Sequence, residues 1–459
     1  MARVNLFGGR LGARALRWIG ALGLLSALFS VALPESASAI PSFARQTGQP
    51  CASCHTAFPE LTPFGRRFKL GGYILGGGDS KLPPIAAMVL PTFTHTQAPQ
   101  DSPPAPHTGV NDNLVLQQAS VFYGGQIYGN LGAFVQTTYD RLSGRFFLDN
   151  TDIRYTDTIK LFDQDAILGI TLNNTPTVQD VWNTTTAWGY PEVGATLAPQ
   201  FKPPSTMIEG GFAGQVVGTG AYAFWNDMLY MELTGYQTVS RSTLSALGEP
   251  DPSSTNGIRG IAPYWRVALE PTWGEHSLMI GTFGMDMSVY PGRIGDFGTD
   301  HYTDIGLDAQ YQYNGDMFSV TVKATDIMER QQLGATFAMP GGSTNPTNNL
   351  RSFKLSSSFV WDHTVSLSAG YFDVSGSADS GLYNANSATN SPNGNGLVFD
   401  LAYLPFSHGG PSLWPWANAR IGISYTQYLK LYGGTSNFDG GGHNAKDNNT
   451  TFLYTWIAF

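Results

Sequence analysis

From Asp304 to Tyr313 the chain alternates residue by residue, with Asp304, Gly306, Asp308, Gln310 and Gln312 set against Ile305, Leu307, Ala309, Tyr311 and Tyr313. Strand side chains point to opposite faces with a period of two, so this stretch has one wet face and one apolar face. The same dyad sets Phe318, Val320 and Val322 against Ser319, Thr321 and Lys323. It returns in Trp265, Val267 and Leu269 against Arg266, Ala268 and Glu270, and in Ile421, Ile423 and Tyr425 against Arg420, Ser424 and Thr426.

A soluble sandwich also alternates, and the connections decide between the two. Tight links fall at Tyr128-Gly129-Asn130, Asn226-Asp227, Gly274-Glu275, Asn314-Gly315 and Asp362-His363. Those between them are mostly long and rich in Gly, Ser, Asn and Thr, near residues 98–112, 174–209, 239–258, 329–347, 375–394 and 431–447. Short turns on one side and long loops on the other mark an outer-membrane barrel, with the turns and the N-terminus on the periplasmic side. The expected fold is an all-β transmembrane β-barrel of about sixteen antiparallel strands over residues 85–459, surrounded by outer-membrane lipid. The strands begin near residues 85, 113, 131, 146, 165, 210, 228, 260, 277, 303, 316, 350, 365, 396, 417 and 450. Closure leaves no strand edge unpaired in lipid.

The chain opens with Arg3, Arg10, Arg14 and Arg17, an apolar run from Trp18 to Leu33, and Ala37-Ser38-Ala39. This is the pattern of a secretory signal peptide over residues 1–39. Losing four arginines and Glu35 with it takes the formal net charge from −9 to −12. An acidic exported chain is a poor partner for nucleic acid.

The two cysteines of the chain both lie in Cys51-Ala52-Ser53-Cys54-His55. Such a run places two thiols where they can form thioethers to one haem, with the imidazole of the next residue as axial ligand. A thioredoxin-like pair needs a βαβ setting, and a structural zinc site needs two further ligands. Neither accompanies this run, so residues 40–84 read as a small c-type segment carrying one covalent haem c. So short a segment does not close a haem pocket alone, and the rest of the chain is expected to complete it. Phe58, Phe64, Phe68 and Leu70 are candidate cover. Arg66, Arg67 and Lys69 either meet the haem propionates or form a solvated face.

The stretch IPSFARQTGQPCASCHTAFPELTPFGRRFKLGGY, residues 40–73, resembles the fused monohaem cytochrome-porins of the bacterial outer membrane, whose best-known members oxidise ferrous iron. Within the barrel half, Leu172 to Tyr190 also looks familial. The resemblance implies a one-electron oxidoreductase that takes electrons from extracellular Fe(II) and passes them through its haem to a periplasmic cytochrome or copper protein. His55 is then the proximal ligand. Sulfur on the opposite side would raise the potential. Met88 is the candidate, on the lumen-like face of the first strand with Ala86, Leu90, Thr92 and Thr94; His95, Met207, Met228 and Met287 are lesser ones.

Glu232, Glu270, Asp304 and Asp308 should face the lumen with Arg266, Lys323, Lys354 and Arg420, as in any porin. His107, His301, His408 and His443 stand apart, and the loop acids Asp101, Asp251, Asp300 and Asp439 are scattered, which favours outer-sphere transfer over an iron cage. Two other readings stay open: a diffusion porin with a haem plug, and electron exchange with a donor or acceptor other than iron.

Overall fold

A computed structural model describes residues 41–75, 84–248, 255–407 and 415–459. Residues 1–39, read above as a signal peptide, and Asp251 and His408 lie outside the described residues. From Ile85 onward the chain forms one antiparallel sheet of sixteen strands. In order they are β1 Ile85–Thr96, β2 Asn113–Tyr128, β3 Leu131–Asp140, β4 Arg145–Leu161, β5 Gln164–Asn173, β6 Val216–Trp225, β7 Leu229–Thr238 and β8 Ala262–Leu269. The second half is β9 His276–Tyr290, β10 Asp300–Asn314, β11 Phe318–Gln332, β12 Thr347–Trp361, β13 Val365–Gly376, β14 Gly394–Tyr403, β15 Asn418–Lys430 and β16 Thr450–Ala458. Two short ladders, Gly257–Ile258 and Thr272–Trp273, continue the line of β8 along β9. Each strand pairs with its successor, and β1 pairs with β16 from Met88↔Ala458 to Thr96↔Thr450, which closes the barrel.

Burial follows the dyad. Asp304 and Gln312 are 1% and 0% exposed, whereas Ile305 and Leu307 between them are 45% and 54% exposed. Leu233, Leu269, Ile280, Leu367 and Leu401 are likewise exposed, so an apolar belt surrounds a polar lumen. At the short-turn rim, Tyr128, Phe162, Trp273, Trp361, Tyr403 and Phe459 stand exposed as an aromatic girdle. A closed barrel with this exterior belongs in the bacterial outer membrane. Among the described residues no helix is long and apolar enough to cross a membrane.

The lumen is filled from both ends. From the short-turn end come α1 Pro41–Thr47, α2 Cys51–Cys54 and α3 Pro63–Leu70. Thr62 caps α3 by accepting from the Gly65 amide, with Pro63 in the first helical turn, and its hydroxyl donates to Ser53 O at 2.7 Å. Gly65 has a steric role, because a Cβ there would lie 2.2 Å from the Cys54 carbonyl oxygen. A Cβ on Gly132 of β3 would likewise lie 2.0 Å from Gly72 O, so the wall is thinned where the head meets it.

From the other end comes the connection after β5, read above as an external loop over 174–209. It folds inward instead, and Trp182, Asp180, Thr184 and Glu192 on it are buried. Val178, Val181 and Trp182 supply the apolar surface for this, while Thr184 donates to Asp308 at 2.5 Å and Thr325 donates to Thr184 O at 3.0 Å. The connection after β14 also departs from the tight-turn rule. It reaches across to α2, where Ser407 O accepts from the Ala52 amide at 3.2 Å.

Glu270, at the end of β8, ties head, wall and inward loop together. Its Oε1 accepts from Arg66 Nε at 2.9 Å and its Oε2 from Trp182 Nε1 at 2.8 Å. Arg66 also donates to Gln312 of β10 at 2.8 Å, and all of these groups are buried. Removing one partner of a buried ion pair costs about 3–5 kcal/mol, because the other charge is left unpaired. Glu270→Ala is therefore expected to undock the head by about that amount, read as trypsin cleavage in α3 that the native protein resists.

Candidate functional site

Between head and inward loop lies a mostly apolar cavity. Its near side is Phe43, Cys51, Cys54, His55, Phe58 and Phe68 from the head, and its far side is Val178, Val181, Asn183 and Trp188 from the inward loop. The wall contributes Met88, Phe122, Phe134, Asn418 and Trp456. Trp456 packs against Phe58 at 5.1 Å and against Trp188 at 5.4 Å between ring centroids. The cavity occupies the periplasmic half of the lumen. In the outer half a second, more open space is lined by Tyr190, Lys202, Glu209 and Lys354.

Cys51 and Cys54 bracket the single turn of α2, are not disulfide-bonded, and line the cavity together. Asn418 directs its Nδ2 to Cys51 Sγ at 3.6 Å. His55 follows directly. Its Nδ1 donates to Glu60 O at 3.3 Å, which fixes the tautomer and leaves Nε2 with its lone pair. Burial pushes the imidazole down to about 4, against the pull of its contacts with the Glu60 and Pro59 backbone, so the ring is neutral near pH 7. Glu60 is anchored to the wall by Lys323 at 3.6 Å and by the Ser358 hydroxyl at 3.3 Å.

The other candidates separate cleanly. Met88 lines the cavity. Met207 and Met287 pack into a distant cluster with Phe212 and Tyr264, Met228 sits at the β6–β7 turn, and His95 pairs with Asp112 at 2.7 Å. Of the three head cations, Arg66 is committed to Glu270 and Arg67 to Asp227, while Lys69 lines the cavity and donates to Val178 O. Phe58 and Phe68 cover the cavity; Phe64 is exposed, and Leu70 packs against Trp182 and Tyr222. Asn183 was not anticipated. It adopts φ 53°, a left-handed conformation that asparagine tolerates, and its Nδ2 is buried with no acceptor. The traceable signal was the apolar trio inside a polar connection.

These residues fit a covalently held haem. Two thiols one turn apart, a neutral imidazole and a thioether share one apolar cavity, and an orphaned amide marks a donor without its acceptor. Among the described residues no group of three or more His, Cys, Asp or Glu side chains is arranged to hold a metal ion.

No family model and no curated protein matches the chain. Solved structures do. The OmpF porin of Salmonella typhi in complex with daunomycin is 12% identical, covering 82% of this chain and 97% of its own, with a TM-score of 0.45. The outer-membrane channel DcaP of Acinetobacter baumannii is 10% identical over 82% and 96%, with a TM-score of 0.45. An anion-selective porin from Comamonas acidovorans is 12% identical over 82% and 98%, with a TM-score of 0.41.

At the outer mouth, His443 joins three loops. It donates from Nδ1 to Asp439 at 2.6 Å and from Nε2 to Asp101 at 3.0 Å, and Asp101 accepts from Gln200 of the inward loop at 2.6 Å. The hydrogen bond to Asp439, then that to Asp101, raises the pKa of His443 above its ordinary value. A raised folded-state pKa gives stabilisation that is complete below the unfolded value of about 6.5 and is lost as pH rises through the folded value. Hydrogen-exchange protection in residues 98–105 and 436–444, taken relative to the intrinsic rate at each pH, should thus fall as the pH passes above neutrality. His443→Gln should remove that dependence, and unchanged protection in both proteins would refute the clasp.

Proposed function

We propose that this porin-like barrel is an outer-membrane cytochrome that carries one haem c on Cys51 and Cys54 and moves single electrons between an external donor and a periplasmic carrier. The observation carrying this reading is the seating of Cys51, Cys54, His55 and Met88 on one apolar cavity inside the lumen. When bound, haem c supplies a one-electron couple. His55 Nε2 would hold the iron from the head and Met88 sulfur from the wall, and a thioether ligand suits a high-potential donor.

Fe(II) is the proposed donor. It becomes Fe(III) outside, giving up one electron, and an oxidised periplasmic cytochrome or copper protein accepts it. The inward loop separates the outer space from the cavity, so the donor would stay outside while the electron crosses. Phe58, Phe68, Trp188 and Trp456 line the cavity with apolar surface, which would favour electron transfer over ligand exchange at a bound haem.

A second reading, a diffusion porin with a plug, is favoured by the polar lumen wall and the outer space. Stopped-flow absorbance separates the two. Mixing oxidised protein with Fe(II) should produce the reduced c-type band rapidly, and His55→Ala should abolish the response. A haem that dithionite reduces but Fe(II) does not would remove iron as the donor.

A further inference from the structure

We infer that Asn183 and Lys69 together hold the carboxylates of the haem, so that the cofactor fastens the inward loop to the head. This rests on the haem reading above. Haem c carries two carboxylates, and in a buried cavity each needs a donor or a cation beside it. Most polar groups lining the cavity are already engaged. Thr47 donates to Phe43 O, Tyr73 to Asp152, and Asn418 to Cys51 Sγ, while Thr177 shares a hydrogen bond with Thr175.

Two donors remain. Lys69 has three N–H groups and uses one on Val178 O. Asn183 has a buried amide with no acceptor at all. The first belongs to α3 and the second to the inward loop, and Lys69 already reaches the loop through Val178. Burial also pushes the Lys69 ammonium down to about 8, with Arg154 acting the same way and Asp152, Asp180 and Glu232 pulling against it, so a further anion beside it would favour the charged form. Arg66 and Arg67, the other cations of α3, are spent on Glu270 and Asp227.

A cation and a donor at the carboxylates favour the reduced haem, because they offset the negative charge that would otherwise favour the oxidised form. The test is the midpoint potential of full-length holoprotein, read by spectroelectrochemistry across pH, with covalent haem measured by the pyridine haemochrome. Lys69→Met is expected to shift the reduction equilibrium about tenfold towards the oxidised state, which is 59 mV for one electron. Asn183→Asp, nearly isosteric, should shift it in the same direction and make the potential fall further as pH rises. Lys69→Arg should restore the native value.

If either variant loads no haem, Lys69→Gln and Asn183→Ser serve in its place with shifts of the same sign. Fully loaded variants with the native potential and pH profile would overturn this assignment while leaving the haem reading intact. A wild-type protein without covalent haem would instead overturn the reading beneath it.

Discussion

Cys51→Ser together with Cys54→Ser is expected to give a barrel that folds and inserts but carries no covalent haem. The wild-type protein, produced with a haem-attachment system, should gain the mass of one haem and hold its absorbance after denaturation; the variant should do neither. The effect is all-or-none because the chain has no other cysteine to form a thioether. Strand content should not change. Sixteen paired strands hold the barrel, and the cysteines contribute no disulfide to it. Denaturation-resistant haem in the double variant would refute the attachment site.

Removing residues 41–75 while keeping residues 1–40 is expected to raise single-channel conductance several-fold. The intact lumen is packed on the periplasmic side by the head, residues 41–75, whose contacts reach β4 through Tyr73 and Asp152, β10 through Arg66 and Gln312, and β15 through Arg420 and Phe58 O at 2.8 Å. A plug touching the wall at such separated places leaves little room for ions. Without it, Glu270, Lys323 and Arg420 would line a wetter pore. The inward loop remains as a constriction, so the truncated channel should still conduct less than an open barrel. Equal conductance with and without the head would show that the head does not block the lumen. High conductance of the intact protein would favour the diffusion-porin reading.

The barrel was legible because its signal is local. Each strand is exposed to lipid on one face and to a polar lumen on the other, so a period of two is written into Asp304–Tyr313 and repeated around the sheet. Strand starts read from that pattern fall within a few residues of those observed, the largest offset being β6, expected near 210 and found at Val216. Met88 was placed on the lumen face by the same alternation, and its side chain is buried there. The Cys51–His55 run was equally local, and the structure sets its two thiols at either end of one helical turn with His55 next to them.

Long-range placement was not legible. A Thr- and Asn-rich connection such as 174–209 looks the same whether it hangs in solvent or folds into a polar lumen, because a wet interior offers hydrogen bonds like those of water. Its inward course depends on distant partners such as Glu270, Asp308 and Thr325, which no sequence spacing brings together. The same holds for Arg66, Arg67 and Lys69, three neighbours of one charge whose roles diverge only because Glu270, Asp227 and Val178 O lie where the barrel puts them. The sequence by itself determined the barrel and its outer-membrane setting, from alternation within strands and the contrast of short and long connections, and the nearness of Cys51, Cys54 and His55, since each of these signals is written within a few residues. Only the tertiary structure decided that Met88, Trp188 and Asn183 share one cavity with that turn, since closing β1 on β16 and folding the inward loop join parts of the chain far apart in sequence.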